Sequence, residues 1–266
     1  MADRPARVLA IGGSDSGGGA GVQADIKTIT TLGGYATCAI TAVTAQNTLG
    51  VQAIHLLPSA IIEAQARAVL DDIGADAIKI GMLGEGAAAA AVARVLATTP
   101  ALPVVLDPVM IATAGTRLAN QAALAILVRD LIPRAALLTP NAIEAGALTG
   151  LEVRTLADQG RAGETLLRAG ASAVLVKGGH IGGERLTDVL MHAGGERLYH
   201  HPRLTARHTH GTGCTLASAC ATGLAQGLGL EDAVGMAIDY IARAIAEAPG
   251  LGAGRGPVGH AAAAPA

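Results

Sequence analysis

The chain contains no phenylalanine, no tryptophan and only 3 tyrosines among 266 residues. Stacking of bases on aromatic rings, the common grip on single-stranded nucleic acid, has almost nothing to work with here. Basic runs are missing as well. Lysine and arginine number 19 against 21 aspartates and glutamates, for a net charge of -2, so a nucleic-acid role has little electrostatic support. No stretch approaches 18 apolar residues free of glycine or charge, and no membrane span is expected. The 3 cysteines, Cys38, Cys214 and Cys220, show no C-x-x-C spacing. A disulfide framework is not expected, and a reducing cytoplasm is the expected location. The two commonest nucleotide fingerprints are absent too. G-x-x-x-x-G-K-[ST] does not occur, and "GGSDSGGGAGVQAD" does not fit the G-x-G-x-x-G frame.

The composition that remains, 51% hydrophobic and 15% charged, is that of a globular chain with a core of Ala, Val, Leu and Ile. Short apolar runs alternate with longer helical patterns. "RVLAI", "TCAITAV", "VQAIHLL", "AIKI", "VVLD", "ALLT" and "SAVLVKGG" read as strands. The start "MADRPARVLAIGGSD" is read as a first strand rather than a signal peptide. Residues 21–33, 58–73, 85–97, 119–132, 141–150, 212–227 and 231–248 read as helices, and 185–204 as a hairpin turning at Gly194-Gly195. The alternation predicts an α/β fold, a mostly parallel sheet flanked by helices on both faces. One domain over 1–266 is expected, with a mobile tail from about 250.

In such sheets ligands bind beyond the carboxyl ends of the strands. The residues there are Gly12-Gly13-Ser14-Asp15, Gly81-Met82, Asp107-Pro108-Val109, Pro140-Asn141 with Glu144, and Lys177-Gly178-Gly179. The glycine loop after the first strand is either a flexible turn or an anion cradle. "HGTGCT" (210–215) sets consecutive amides at a helix start with no bulky side chain. Free amides and the helix dipole favour negative charge there, as on a phosphoryl group in flight. The same position lowers a cysteine pKa, which would make Cys214 a proton acceptor or nucleophile; the alternative is a small buried residue. His208, His210 and Cys214 are zinc-type ligands, but H-x-H-x₃-C is not a familiar site and no fourth ligand lies nearby. Asn141 and Glu144, one turn apart, suit Mg²⁺ through water or simply form an N-cap and capping-box acid. Lys177 could neutralise phosphate or be a solvated charge. Asp107 before Pro108 stands at the sheet's carboxyl edge.

These motifs together resemble the ribokinase-like superfamily and, more closely, the hydroxymethylpyrimidine/phosphomethylpyrimidine kinases of thiamine biosynthesis. The matching segments are "IGGSDSGGGAGVQADIKT", "TAVTAQNT", "KIGML", "VVLDPVM", "LLTPNAIEA", "VLVKGGH" and "THGTGCTLASA", in the family's order over residues 8–220, with "GPVGH" also similar. The family loop usually reads closer to S-D-P/S-S/G-G-G-A-G, whereas this chain has Ser14-Asp15-Ser16-Gly17-Gly18-Gly19. The resemblance implies a bifunctional kinase that uses ATP and Mg²⁺. It phosphorylates 4-amino-5-hydroxymethyl-2-methylpyrimidine and then its monophosphate. It implies pyrimidine contacts at Gly13, Asp25, Gln46, Met82 and Val109. Gly211, Thr212 and Gly213 are expected around the transferred phosphoryl, with Cys214 where most of the superfamily has a catalytic aspartate. Asn141 and Glu144 fall in the magnesium region, and Asp107 and Lys177 on the ATP side. A homodimer is implied, with no nucleic-acid or membrane partner. Two rivals remain: a pyridoxal kinase of the same fold, and a sensor that binds the pyrimidine without transferring phosphate.

Overall fold

A computed structural model describes residues 4–110, 118–179, 181, 185–204 and 206–261. Nine strands form a single sheet: β1 (Arg7–Asp15), β2 (Tyr35–Asn47), β3 (Gly50–Leu56), β4 (Ala77–Ile80), β5 (Val104–Leu106), β6 (Leu137–Leu138), β7 (Ala173–Val176), β8 (Arg185–His192) and β9 (Gly195–Pro202). Their order is β3-β2-β1-β4-β5-β6-β7-β8-β9. From β2 to β7 every pairing is parallel, while β3 on one edge and β8 and β9 on the other pair antiparallel. The helices are α1 (Gly21–Thr31), α2 (Ser59–Ala68), α3 (Gly86–Ala97), α4 (Gln121–Ile126), α5 (Ala142–Thr149), α6 (Leu156–Arg168), α7 (Thr212–Ala225) and α8 (Leu230–Ala246).

The central strands are apolar on both faces because both are covered. Along β1, Leu9 and Ile11 join a core with Ile62 of α2, Val92 of α3 and Leu166 of α6. Val8 and Ala10, one residue out of phase, join a second core with Ile29 of α1, Cys220 of α7 and Tyr240 of α8. In the second layer helix α7 packs closely, since Leu216, Ala217, Ala219, Cys220 and Ala221 are small or slim and fully covered. The chain leaves β1 for β2 on one side and later returns to β4 on the other. This reversal opens a crevice at the carboxyl ends of β1 and β4, where Gly12-Gly13 and Gly81-Met82 stand.

Three features depart from the sequence reading. Helix α6 was not anticipated. It starts on a capping box between Thr155 and Asp158 and buries Gln159, Ala162, Gly163 and Leu166 on one face. The helices predicted over 58–73 and 119–132 each pass into a π-turn, at Val69–Ile73 and Leu127–Leu131. Finally, the expected mobile tail is packed over its described part. The Gly259 amide donates to Ala244, the Tyr240 hydroxyl to the His260 carbonyl, and the His210 amide to the Gly256 carbonyl. Residues 262–266 lie outside the described part.

Candidate active site

The glycine loop is organised by Asp15, the last residue of β1. Its Oδ1 accepts the Gly17 amide at 2.8 Å, and its Oδ2 accepts Gly19 at 3.1 Å and Ala20 at 2.8 Å. His210 Nε2 meets the same Oδ2 at 2.8 Å. Burial pushes the Asp15 carboxyl up, but His210 and the loop amides outweigh it and hold the group below its ordinary value. The loop is thus closed on itself and tied to the segment that leads into α7.

Gly211 caps α7 in the left-handed region, at φ 88. A Cβ there would overlap the carbonyl oxygen of Gly19, so two glycine segments distant in sequence touch backbone to backbone. The first turn of α7 then presents Thr212, Gly213 and Cys214. A Cβ on Gly213 would stand 3.4 Å from Asp107 Oδ2 and 3.5 Å from Lys177 Nζ. The anion-type helix start and the Asp107–Lys177 pair therefore face each other with only hydrogen atoms of glycine between them. Lys177 donates to Asp107 Oδ1 at 3.2 Å, and Thr139 Oγ1 lies 3.3 Å from the same oxygen. Burial works against the Lys177 ammonium, yet Asp107 and Glu144 raise it above its ordinary value.

Asn141 and Glu144 form a complete capping box at the start of α5. Asn141 Oδ1 accepts the Ile143 and Glu144 amides at 2.9 and 3.0 Å, and Glu144 Oε2 accepts the Asn141 amide at 2.9 Å. The amide oxygen of Asn141 is thereby spent on the helix. Burial raises the Glu144 carboxyl to about 7, with Lys177 opposing and Asp107 adding to the rise. Among the described residues no group of three or more His, Cys, Asp or Glu gathers as a metal cage. This donor set, a buried carboxylate beside a lysine-paired aspartate, fits Mg²⁺ held mainly by phosphates and water. His208 and His210, weighed above as zinc ligands, are engaged elsewhere: His208 Nδ1 accepts the Gly256 amide at 3.0 Å.

Asp25 is fully buried under α7. Its Oδ1 takes Lys79 Nζ at 2.7 Å and Ser218 Oγ at 2.7 Å, while Oδ2 has no hydrogen-bond partner among the described residues. Gln46 Nε2 lies 3.2 Å from His210 Nε2 and its Oε1 3.3 Å from Thr44 Oγ1. Since His210 donates to Asp15, the Gln46 amide turned by half a turn sets its oxygen toward that shared N–H and its nitrogen toward Thr44 Oγ1 as a donor. Met82 presses against Gly13, whose Cβ position would lie 2.9 Å from Met82 Sδ. Val109 donates its amide to the Asp107 carbonyl at 2.8 Å.

Cys214 reverses one expectation. The sequence reading placed it at a helix start that lowers a thiol pKa. In the fold, burial dominates and pushes the thiol up to about 11; Lys79 pulls it down, while Asp25 and Asp107 push it further up. The resting group at neutral pH is a thiol, not a thiolate.

One cavity of about 670 Å³ is lined by Gly13, Asp25, Gln46, Met82, Val109, Asp107, Asn141, Glu144, Lys177 and Gly211 to Cys214. Every site residue that the family resemblance implied lines it, whereas His208 does not. Asp15 and His210 are named from the sequence, but their joint role as the clasp of the loop is not legible there, and neither are Lys79 and the stretch 254–260 that braces the clasp. "KIGML" was noted as a motif, but its lysine was not singled out.

Residues 15–259 match the family described as phosphomethylpyrimidine kinase. The chain belongs to that family. It is therefore a kinase, a phosphotransferase. It is 46% identical over 256 residues to the hydroxymethylpyrimidine/phosphomethylpyrimidine kinase of Streptomyces coelicolor, covering 96% of this chain and 94% of that one. It is 46% identical over 253 residues to the thiamine biosynthesis bifunctional protein ThiED of Geobacter sulfurreducens, covering 95% of this chain but only 52% of that longer protein. Among solved structures, phosphomethylpyrimidine kinase from Clostridium difficile superposes with a TM-score of 0.81 at 40% identity, covering 90% of this chain and 99% of that one. An ADP complex of Bacillus subtilis pyridoxal kinase superposes with a TM-score of 0.91 at 32% identity, covering 97% and 98%.

Proposed function

We propose that this kinase transfers the γ-phosphoryl of ATP to the hydroxymethyl group of 4-amino-5-hydroxymethyl-2-methylpyrimidine, and then phosphorylates the monophosphate to the diphosphate, in thiamine biosynthesis. The observation that carries this reading is the convergence in one cavity of an open helix start, Gly211 to Cys214, with a lysine–aspartate pair on one side and ring-sized contacts on the other.

In this reading Lys177 leaves part of its bond with Asp107 to hold the triphosphate. Mg²⁺, when bound beside Glu144 and Asp107, neutralises phosphate charge. The amides of 211–214 receive the charge that develops on the transferred phosphoryl. Met82 and Val109 face the ring, Gly13 leaves room for it, and Gln46 holds its polar edge. Asp25 Oδ2, a buried acceptor with no partner among the described residues, suits a substrate N–H. The hydroxymethyl oxygen forms the new bond to phosphorus as the bond to ADP breaks. Because that transition state is loose, positioning outweighs base strength, and Cys214 acts as a small group held at the helix start rather than as a thiolate base. The loop closed by Asp15 serves as the cover over the substrate.

A homodimer in the cytoplasm completes the proposal. The exposed apolar side chains Val43, Ile54 and Leu56 along the β2–β3 edge support association, and three free cysteines support a reducing compartment.

A pyridoxal kinase is the second reading, favoured by the closer superposition on the Bacillus subtilis enzyme. The higher identity to phosphomethylpyrimidine kinases supports the first. A coupled ADP-release assay with the hydroxymethylpyrimidine, its monophosphate and pyridoxal separates them. Turnover of both pyrimidines with little of pyridoxal supports the proposal. Preference for pyridoxal replaces the substrate, and binding of the pyrimidine without turnover with any of them leaves a sensor.

A further inference from the structure

The sheet and helices bury an ion pair of which the mechanism above uses only the carboxylate, Asp25. Lys79, the third residue of β4, has a side chain 1% exposed, and its partner Asp25 on α1 is 0% exposed. Among the described residues the lysine's hydrogen bond is to Asp25 Oδ1, at 2.7 Å. That leaves the ammonium with donors to spare and Asp25 Oδ2 without a donor. A buried pair so incompletely satisfied is a poor way to stabilise a fold; well-packed apolar residues of similar volume commonly do better. The pair is therefore informative about the site it adjoins, and both residues line the cavity.

Its placement is specific. Ser218 of α7 donates to Asp25 Oδ1 at 2.7 Å, and Ser218 stands one helical turn beyond Cys214. Lys79 is thus set beneath the first turn of α7, the turn whose amides face Asp107 and Lys177. A Cβ on Gly81 would come within 3.0 Å of Lys79 Nζ, so the strand keeps a glycine beside the charge. At the first turn of α7 the ammonium's field adds to that of the free amides, and the carboxylate of Asp25 opposes it in part, as the opposite pulls of Lys79 and Asp25 on the Cys214 thiol show.

We propose that Lys79 is a positioning residue for phosphoryl transfer: its ammonium locks the rotamer of Asp25, turning Oδ2 to the cavity, and backs the helix start of α7 with a fixed positive charge. The inference rests on the kinase reading and deepens it. Burial works against this ammonium, and the carboxylates of Asp25 and Asp107 nonetheless hold it above the ordinary lysine range, so it is charged throughout the working pH.

The test is steady-state kinetics and MgADP binding of Lys79→Ala, with and without added propylamine. The expected kcat loss is about 100-fold or more, while the KM for ATP and the Kd for MgADP change by less than about 3-fold, because the lost interaction is made in the transition state. Propylamine, diffusing into the space left by the side chain, restores kcat at least about 10-fold, and propanol of the same size does not. Lys79→Met, which keeps the apolar stem, gives the same split between kcat and nucleotide binding if the alanine variant does not fold. The proposal is overturned if the folded variants keep wild-type kcat. It is equally overturned if nucleotide affinity and melting temperature fall in step with kcat and the amine restores nothing. Turnover by the wild-type chain in the same assay reports on the kinase reading separately, so the two failures are distinct.

Discussion

Asp15 and His210, 195 residues apart in sequence, meet at 2.8 Å and close the glycine loop onto the entrance of α7. The same histidine nitrogen lies 3.2 Å from the Gln46 side chain, so one imidazole orders both the cover and a contact assigned to the ring. The His210 main chain is in turn held by Gly256.

Replacing His210 by Ala therefore releases Gln46 and the loop together. The KM for the hydroxymethylpyrimidine rises about 10-fold or more, as for loss of a buried hydrogen bond, while the KM for ATP changes little. Steady-state kinetics with each substrate varied in turn checks this. Equal changes in both constants would show general unfolding of the site instead.

Two glycines two residues apart separate structural from chemical demands. A Cβ on Gly211 overlaps the Gly19 carbonyl in a backbone region that only glycine adopts freely, so Gly211→Ala costs roughly 2 kcal/mol or more of stability. A Cβ on Gly213 finds room at 3.4 Å from Asp107 and 3.5 Å from Lys177. Gly213→Ala keeps its melting temperature and loses about 100-fold in kcat, because the methyl occupies the space between the amides and the lysine. Thermal melts and kcat measured on both variants decide the matter.

The Glu144 carboxyl, raised to about 7 by burial, is divided between its two forms at neutral pH. A carboxyl raised on folding binds protons in the native state between its unfolded and folded values. It therefore favours the folded state at low pH and costs stability as pH rises from the unfolded value, 4.5, to about 7. With Mg²⁺ seated beside Glu144 as proposed, its local charge favours the ionised form, and the expected outcome is that MgADP binding at pH 7 releases about half a proton. Calorimetry in buffers of different ionisation enthalpy reads that number directly. Glu144→Gln abolishes the release, and an unchanged release in that variant would assign the proton elsewhere.

His260 acts in the opposite sense. It is buried, stands 3.0 Å from Thr215 Oγ1 beside the first turn of α7, and burial lowers it to about 4. The unfolded chain binds a proton near 6.5 that the native state refuses, so the stability this group contributes is present above 6.5 and is lost as pH falls toward 4. Melting temperature should fall between pH 7 and 5, and His260→Gln should flatten that slope. A slope unaltered in the variant would mean that other groups carry the acid sensitivity.

How far these relations could be read in advance depended on their range. "VVL" and "AVLV" are continuous apolar runs because helices cover both faces, and such runs announce a parallel sheet. Helix α6 escaped notice because "LADQGRAGETLLR" has two glycines and few large apolar residues, although its T-x-x-D start was a usable signal. Asn141 and Glu144 could be read either as a capping box or as a metal region, since three-residue spacing serves both; the fold contains the capping box. The helix start before Cys214 argued for an acidic thiol, but burial is a property of the assembled layers and outweighs the dipole. Lys79 looked like one polar residue in a strand. Its partner is 54 residues away, and nothing local marks that distance.

The most direct measurement of the central claim is a time course of products, by mass spectrometry, after the hydroxymethylpyrimidine is mixed with the enzyme and excess MgATP. The account predicts a monophosphate that rises and then falls as the diphosphate accumulates. A reaction that stops at the monophosphate, or that leaves the pyrimidine untouched while pyridoxal is phosphorylated, would contradict it.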